Sequence, residues 1–375
     1  MRADASTCEL LGLYADPGRA ASLRPGRWSA VLGAARRARA IGHLALRIGQ
    51  SGAIDAVPRE VRAHFESASK VVRRQRQRLR WEMFELADAL LPLDVPTVLL
   101  KGAAYEALGL PIATARLAGD VDLLVPLERL AEVERRLRER GWTSVELDAH
   151  DERYYREWSH EVPPLVHPVR GLEVDVHHSI SPALRGDAVA VRTLLQASRP
   201  VAWTAREGGT PIHAFRVLQP VDQLVHVAVH TFGDSDLSLR VREVMDFDLL
   251  YRAWCVGPEP RVDARALLDR ADAFGQARPM WWTLHFSRRW LGTPVDAALL
   301  AGAGRPDAAS VATMQWLADR SMLPGPALRR SRGEFVAELG LLGRYQWQRL
   351  PMRLLVPHLL EKVRRRIDGR EPAGG

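Results

Sequence analysis

Asp120 and Asp122 stand two residues apart in the run GDVDLLV (119–125), and Asp175 stands between two valines in LEVDVHHS (172–179). On an extended strand, side chains two apart point to the same face, so both members of the Asp-x-Asp pair share a side while Val121 and Leu123 turn into a core. Two carboxylates held side by side raise each other's pKa unless a cation lies between them. Such a pair at the head of an otherwise apolar strand calls for a divalent ion, and hard oxygen ligands suit Mg²⁺ or Mn²⁺. The second run repeats the pattern, with Glu173, Asp175 and His177 on one face and Leu172, Val174 and Val176 on the other. An aspartate between two valines is half-buried by that geometry, which is an unusual place for it. Three such carboxylates would hold two ions ~4 Å apart, the arrangement that serves in-line phosphoryl or nucleotidyl transfer. One ion would activate an attacking hydroxyl and the other would hold a triphosphate. Asp175 is the natural group to take the hydroxyl proton or to lower its pKa through its metal.

A second set of residues offers places for phosphate. TVLLKG (97–102) is a short apolar run that ends in Lys101 and Gly102 before a helix-forming segment. A glycine there lets the backbone approach a phosphate at the helix N-terminus, and Lys101 supplies positive charge; an ordinary strand-to-helix turn with a lysine reaching to solvent has the same spelling. Arg116 precedes the aspartate pair. It is placed either to neutralise triphosphate charge or to salt-bridge the carboxylates. His226 and His230 are four apart on a helix-forming run, a spacing that can hold zinc, but no cysteine or third histidine completes such a site; a structural or substrate-contacting pair is the expectation. Gly-x-Gly-x-x-Gly, Gly-Lys-Ser/Thr and a serine nucleophile elbow are all missing from the sequence.

These residues need elements to position them. Residues 1–92 read as helical, most clearly from Lys70 to Leu91, where Val72, Leu79, Met83, Leu86 and Leu90 fall on one face and arginines on the other. Pro92 and Pro96 then interrupt the chain. From 97 to about 180 strands alternate with helices: TVLLKG, a helix over AAYEALGL, a strand DVDLLVP (120–126), and a helix LERLAEVERRLRERG (127–141) closed by Gly141. WTSVELD (142–148), EVPPLVHP (161–168) and LEVDVHHS follow as strands, the middle one an edge because of its two prolines. After Ser181 the chain reads as mostly helical, over 220–232, 238–255, 263–275, 277–291 and 309–321, with Trp281, Trp282 and Trp290 as packing residues. The stretch 341–367 reads as a basic amphipathic helix broken by prolines, and the tail as disordered. The expected organisation is a helical region 1–92, a mixed α/β core 93–182, a helical region 183–370 and a tail 371–375.

Composition bounds the rest. The 375 residues are 47% hydrophobic and 26% charged, as in a folded protein. Net charge is +8, concentrated in the segment from Arg19 to Arg80, with 15 basic and 3 acidic side chains, and in the segment from Arg320 onward, with 12 and 5. A positive surface can attract nucleotide phosphates, RNA or anionic lipid, although arginine-rich helix faces are also simply solvated. Cys8 and Cys255 cannot build a disulfide framework, which points to a reducing cytoplasm. The N-terminal stretch lacks the apolar run of a signal peptide, and no run approaches the ~20 apolar residues that span a bilayer. The expectation is a soluble, cytoplasmic protein.

The stretch from VLLKGAAYEALGLPIATARLAGDVDLLVPLERLAEVERRLRERGW to GLEVDVHHSI resembles an uncharacterised nucleotidyltransferase family of the DNA polymerase β-like superfamily. The resemblance rests on Lys-Gly, on Arg followed by Asp-x-Asp-Leu-Leu-Val, and on Asp-x-His-His. It covers about 97–180 well and extends more weakly, through QPVDQLVHVAVHTF and SLRVREVMDFDLL, to about Leu250. It implies an α+β fold: a small mixed β-sheet nucleotidyltransferase core with flanking helices, preceded and followed by mostly helical regions. It implies metal binding at Asp120, Asp122 and Asp175; the residues read above as places for phosphate, Lys101, Gly102 and Arg116, are the candidates for nucleotide binding. His177, His230 and Arg240 are then candidates for substrate contact, with the region of Arg242 and Asp246 facing the cleft. One departure stands out. The superfamily's Gly-Gly or Gly-Ser turn is replaced by Lys101-Gly102, and Asp120 follows Gly102 by 18 residues rather than about ten.

The leading expectation is metal-dependent transfer of a nucleoside monophosphate from an NTP such as ATP to a hydroxyl of a small molecule, sugar, peptide, protein or RNA, with pyrophosphate release. The alternatives are a non-catalytic nucleotide-binding or scaffold protein and a glycosyltransferase using Asp-x-Asp on a metal–nucleotide-sugar.

Overall fold

The computed structural model describes residues 4–144, 162–180, 188–205, 208–233, 237, 239–302, 304–325 and 332–349. Most of the strand expected at 142–148, the helix expected beyond 349 and the tail 371–375 lie outside the described residues.

Four helices come first: α1 (Ala5–Ala15), α2 (Pro25–Arg37), α3 (Ile41–Gln50) and α4 (Arg59–Leu90). The last runs for 32 residues because Val61, Phe65, Val72, Leu79, Met83, Leu86 and Leu90 keep one face buried along its whole length. It ends where Pro92 follows Leu91, in a short 3₁₀ turn that Asp94 closes in the left-handed region (φ 50°).

The α/β part follows with β1 (Val98–Leu99), α5 (Lys101–Ala107), β2 (Asp120–Leu124), α6 (Leu130–Glu139), β3 (Thr143–Ser144), β4 (Leu165–Val166) and β5 (Glu173–His177). After α7 (Ala188–Ala197) come two strands that the mostly helical reading of this region left out, β6 (Arg199–Trp203) and β7 (Ile212–Val217). Their place is set by distant partners: β7 runs parallel to β1, and β6 is antiparallel to β7. The seven strands form one mixed sheet in the order β3-β4-β5-β2-β1-β7-β6. The proline-containing segment is not an edge, since β4 lies between β3 and β5. Pro163 and Pro164 precede its two paired residues, so the ladder loses no donor. The helix expected from 127 opens instead as a 3₁₀ turn over Leu127–Arg129, and Leu127 is exposed.

Helices α8 (Pro220–Phe232), α9 (Val241–Cys255), α10 (Ala264–Ala273), α11 (Ala277–Leu291), α12 (Ala297–Leu300), α13 (Ala308–Ser321) and α14 (Arg332–Arg349) complete the described chain. Local signals mark their ends: Pro220 opens α8, Asp263 and Asp307 cap α10 and α13 through their side chains, and Gly292 (φ 60°) closes α11. The fold is α+β, with helices flanking a small mixed sheet, as the sequence led us to expect.

Two buried clusters hold it. One joins the sheet to α4, α5, α6 and α8 through Leu86, Val98, Leu123, Val176 and Leu224. In the other, Leu10, Trp28 and Leu44 of the first helices pack with Trp281, Trp282, Phe286 and Trp290 of α11. The tryptophans are therefore core residues. Among the described residues, no helix is long and apolar enough to cross a membrane.

Candidate metal and nucleotide site

The two strands that carry the aspartates are neighbours in the sheet and run parallel, with Asp120 opposite Glu173, Asp122 opposite Asp175, and Leu124 opposite His177. Parallel strands in register put residues of the same phase on the same face. Asp122, Asp175 and His177 therefore converge, each offering one ligand atom, and these atoms lie within 4.8 Å of one another. Asp120, one pleat earlier, is half-buried and stands outside this triad.

Asp122 is the centre of the arrangement and is 99% buried. Its Oδ1 accepts a hydrogen bond from Lys101 Nζ at 2.6 Å and lies 3.1 Å from His177 Nε2. Its Oδ2 is buried and has no hydrogen-bond partner. A buried carboxylate oxygen left bare is costly, and a cation is the partner that a neighbouring aspartate and imidazole would share with it. Burial pushes the Asp122 carboxyl up, but the Lys101 ammonium and the His177 hydrogen bond outweigh it and hold it well below the usual carboxylate range. Asp120 moves the other way. The charge of Asp122 raises it first and burial second, with Lys101, Arg116 and Arg242 opposing. Burial acts to lower the Lys101 ammonium; the charges of Asp122, Asp120 and Asp175 more than reverse this and raise it.

Lys101 reaches Asp122 because β1 lies antiparallel against β2, and the backbone N–H of Leu100 bonds to the carbonyl of Asp122 at 3.0 Å. The following residue opens α5 with a left-handed backbone (φ 42°). Gly102 is packed tightly: a Cβ there would sit 2.7 Å from Arg116 Nη1 and 2.8 Å from Ala118 Cβ. Its missing side chain thus makes room for the loop that leads to Asp120. Arg116, left open between phosphate and carboxylates, pairs with neither Asp120 nor Asp122. Its Nε bonds to Asp246 Oδ2 of α9 at 2.9 Å, and His43 Nε2 of α3 lies 2.7 Å from the other oxygen of the same carboxylate.

On the far side, His226 and His230 of α8 are turned toward the site. Burial first, and then the Lys101 ammonium and His177, bring His226 down to about 3. Burial, Lys101 and Arg240 hold His230 well below the usual imidazole range. Both rings are therefore neutral at pH 7. Arg240 donates to the His230 carbonyl at 3.0 Å and lies 3.3 Å from its Nε2. The structure thus brings together Asp120, Asp122, Asp175, Lys101 and His177, with His230 and Arg240 on an adjoining wall. Sequence reasoning missed His226 as a neighbour of Lys101, and missed the clamp of His43 and Asp246 on Arg116. His43 lies in IGHLALRIGQ with no motif around it, and its partner is over 200 residues away.

Helix α4 fixes the approach to both aspartate strands. Gln75 Nε2 donates to the carbonyl of Ala118, just before β2, at 2.8 Å. Arg78 Nη2 donates to the carbonyl of Arg170, just before β5, at 3.2 Å. Glu82, 1% exposed, accepts from Arg170 Nε at 2.6 Å and from Trp142 Nε1 at 2.7 Å, and the Arg170 guanidinium lies 4.5 Å from the centre of the Trp142 ring.

No curated protein and no solved structure matches this chain. A family described as "Uncharacterised nucleotidyltransferase" matches residues 24–292, well over half of the sequence and including every site residue above. With the acidic pair, the later strand aspartate and the lysine-glycine turn assembled on one sheet face, the chain belongs to this uncharacterised nucleotidyltransferase family.

Proposed function

We propose that this chain transfers a nucleoside monophosphate from an NTP to a hydroxyl acceptor, dependent on Mg²⁺ or Mn²⁺, with release of pyrophosphate. The observation that carries the reading is Asp122: a buried carboxylate with one bare oxygen, in strand register with Asp175 and beside His177. The two carboxylates suit Mg²⁺ or Mn²⁺, and the imidazole beside them shifts the preference toward Mn²⁺. A divalent ion held there would stabilise the charge that develops on the reacting phosphate and acidify the acceptor hydroxyl.

The chain's own groups supply the rest. Asp175 takes the proton of the acceptor hydroxyl as its oxygen forms a bond to the α-phosphorus. The bond from that phosphorus to the bridging oxygen breaks, and the electron pair leaves with pyrophosphate. Lys101 offers positive charge to the phosphate chain, and Asp120 supplies a further carboxylate for a nucleotide-borne cation. His177 orients the Asp122 carboxylate. The neutral rings of His226 and His230, with Arg240, form the wall against which substrate groups would lie. The two cysteines fit a cytoplasmic setting.

The test is incubation with Mg²⁺ or Mn²⁺, each α-labelled NTP and cell extract. Label should appear on an acceptor, and Asp122→Ala should lower the rate roughly 10²–10³-fold, the scale of losing a charge-stabilising group in an active site. Nucleotide binding with no pyrophosphate release would instead identify a binding or scaffold protein that keeps the fold.

A further inference from the structure

We infer that the Lys101 ammonium holds the place of a second cation, so that the nucleotide-free chain takes one divalent ion, on Asp122, Asp175 and His177, and not two. The inference rests on the metal-dependent reading above for the cation it concerns, but not on any transfer being catalysed.

Charge is the first argument. The charges of Asp122, Asp120 and Asp175 all act on the Lys101 ammonium, which therefore stands among the three carboxylates as a cation would. The nearby guanidinium groups make their ion pairs elsewhere, Arg116 with Asp246 and Arg242 with Glu243, and reach Asp120 only through space. Geometry is the second. Asp122 has two oxygens, and they are in different states: Oδ1 is already shared by Lys101 and His177, and Oδ2 alone is bare. The oxygen that Lys101 occupies is thereby closed to a second ion, and Asp120 is the next carboxylate after Asp122 whose charge acts on the ammonium.

Residue choice is the third. Of the 53 basic side chains only three are lysine: Lys70, Lys101 and Lys362. Lys70 is exposed on α4. A chain that uses arginine almost everywhere places lysine in contact with the aspartate cluster, and with a backbone at φ 42° that a glycine would adopt without strain. An ammonium is a compact charge on a flexible four-carbon stem; a guanidinium is a broad, planar fork that locks onto one carboxylate. The first can stand where an ion would stand and withdraw when phosphate offers a new partner. The second cannot.

The experiment is a titration of Mn²⁺ into the full chain without nucleotide, with free ion read by electron paramagnetic resonance. Wild type is expected to bind one ion, and Lys101→Met two. Asp120→Asn should still bind one, less than roughly tenfold more weakly, because Asp120 lies outside the ligand triad. Two ions on wild type, or none, overturn the inference. So does a folded Lys101→Met that binds only one, or loss of the ion in Asp120→Asn, which would put it between Asp120 and Asp122. If Lys101→Met does not fold, the wild-type count and Asp120→Asn decide. A chain that binds one ion but transfers nothing refutes the transferase reading and leaves this one standing; a chain that transfers but binds two ions does the reverse.

Discussion

Replacing Asp246 by asparagine removes one charge from a buried arrangement that ties three separate parts of the chain. Its carboxylate receives Arg116 from the loop before β2 and His43 from α3, and the side chains are 5%, 6% and 0% exposed. The Arg116 guanidinium makes no other ion pair among the described residues, and its Nη1 is already buried without a partner. Breaking a buried pair from one side costs about 3–5 kcal/mol. A second route gives the part that is charge alone. Burial pushes the Asp246 carboxyl up, but Arg116 and His43 bring it from 3.8 down to about 2. At about 1.4 kcal/mol per tenfold change in acidity, that is worth about 2 kcal/mol. The sign follows from linkage. A depressed carboxyl contributes fully above its unfolded value, near pH 4, and its contribution disappears as pH falls through about 2. Asp246→Asn should therefore lose about 3 kcal/mol at pH 7, and its stability should fall less steeply than that of wild type between pH 5 and pH 2. Urea unfolding across that range, followed by tryptophan fluorescence, measures both quantities. A loss below about 1 kcal/mol at pH 7, or parallel pH curves for the two proteins, would refute the view that this carboxylate anchors Arg116.

Two further substitutions probe the supports of the site. Gly42→Ala lies within α3, where alanine would ordinarily help a helix, but its Cβ would collide with the backbone carbonyl of Ala115; the expected result is a loss of about 1–3 kcal/mol in unfolding, not a gain. Glu82→Gln weakens the hold on Arg170 while keeping an acceptor for Trp142, and should cost about 2 kcal/mol together with weaker Mn²⁺ binding, because the turn before β5 loses its anchor.

The chemistry was more legible than the scaffold that holds it. Strand alternation alone put Asp120 with Asp122, and Asp175 with His177, because a period of two is a local property of the chain. That Asp122 would lie opposite Asp175 was not readable, since register between strands 50 residues apart depends on everything that packs between them. The same limit hid β6 and β7, whose place in the sheet depends on β1, more than 100 residues earlier. Lys101 was recognised as a charge at a turn, but not its partner, because the antiparallel pairing of β1 with β2 creates the contact. Arg116 shows the limit most plainly. Its neighbourhood in sequence offers Asp120 and Asp122, yet the fold delivers Asp246 from a helix 130 residues on. Helix α4 was visible from Lys70 onward by its apolar stripe and extends back to Arg59, where Pro58 opens it and Val61 and Phe65 continue the stripe.

Gln75, Arg78 and Glu82 lie at intervals of three and four along α4, on one side of a single rod. The first grips the approach to β2 and the other two the approach to β5, about 5 and about 10 Å further along at 1.5 Å per residue. The spacing between the two aspartate strands is thus gauged by helical pitch from outside the sheet. Adding one residue between Gln75 and Glu82 would rotate one grip by about 100° relative to the other, so that the helix could serve β2 or β5 but not both. Length variation in this part of α4 should be selected against as strictly as change in the aspartates themselves, although Gln75, Arg78 and Glu82 bond to the chain before the two strands and not to the aspartates. A fragment starting at residue 93 would keep all three carboxylates and lose the gauge that sets them together.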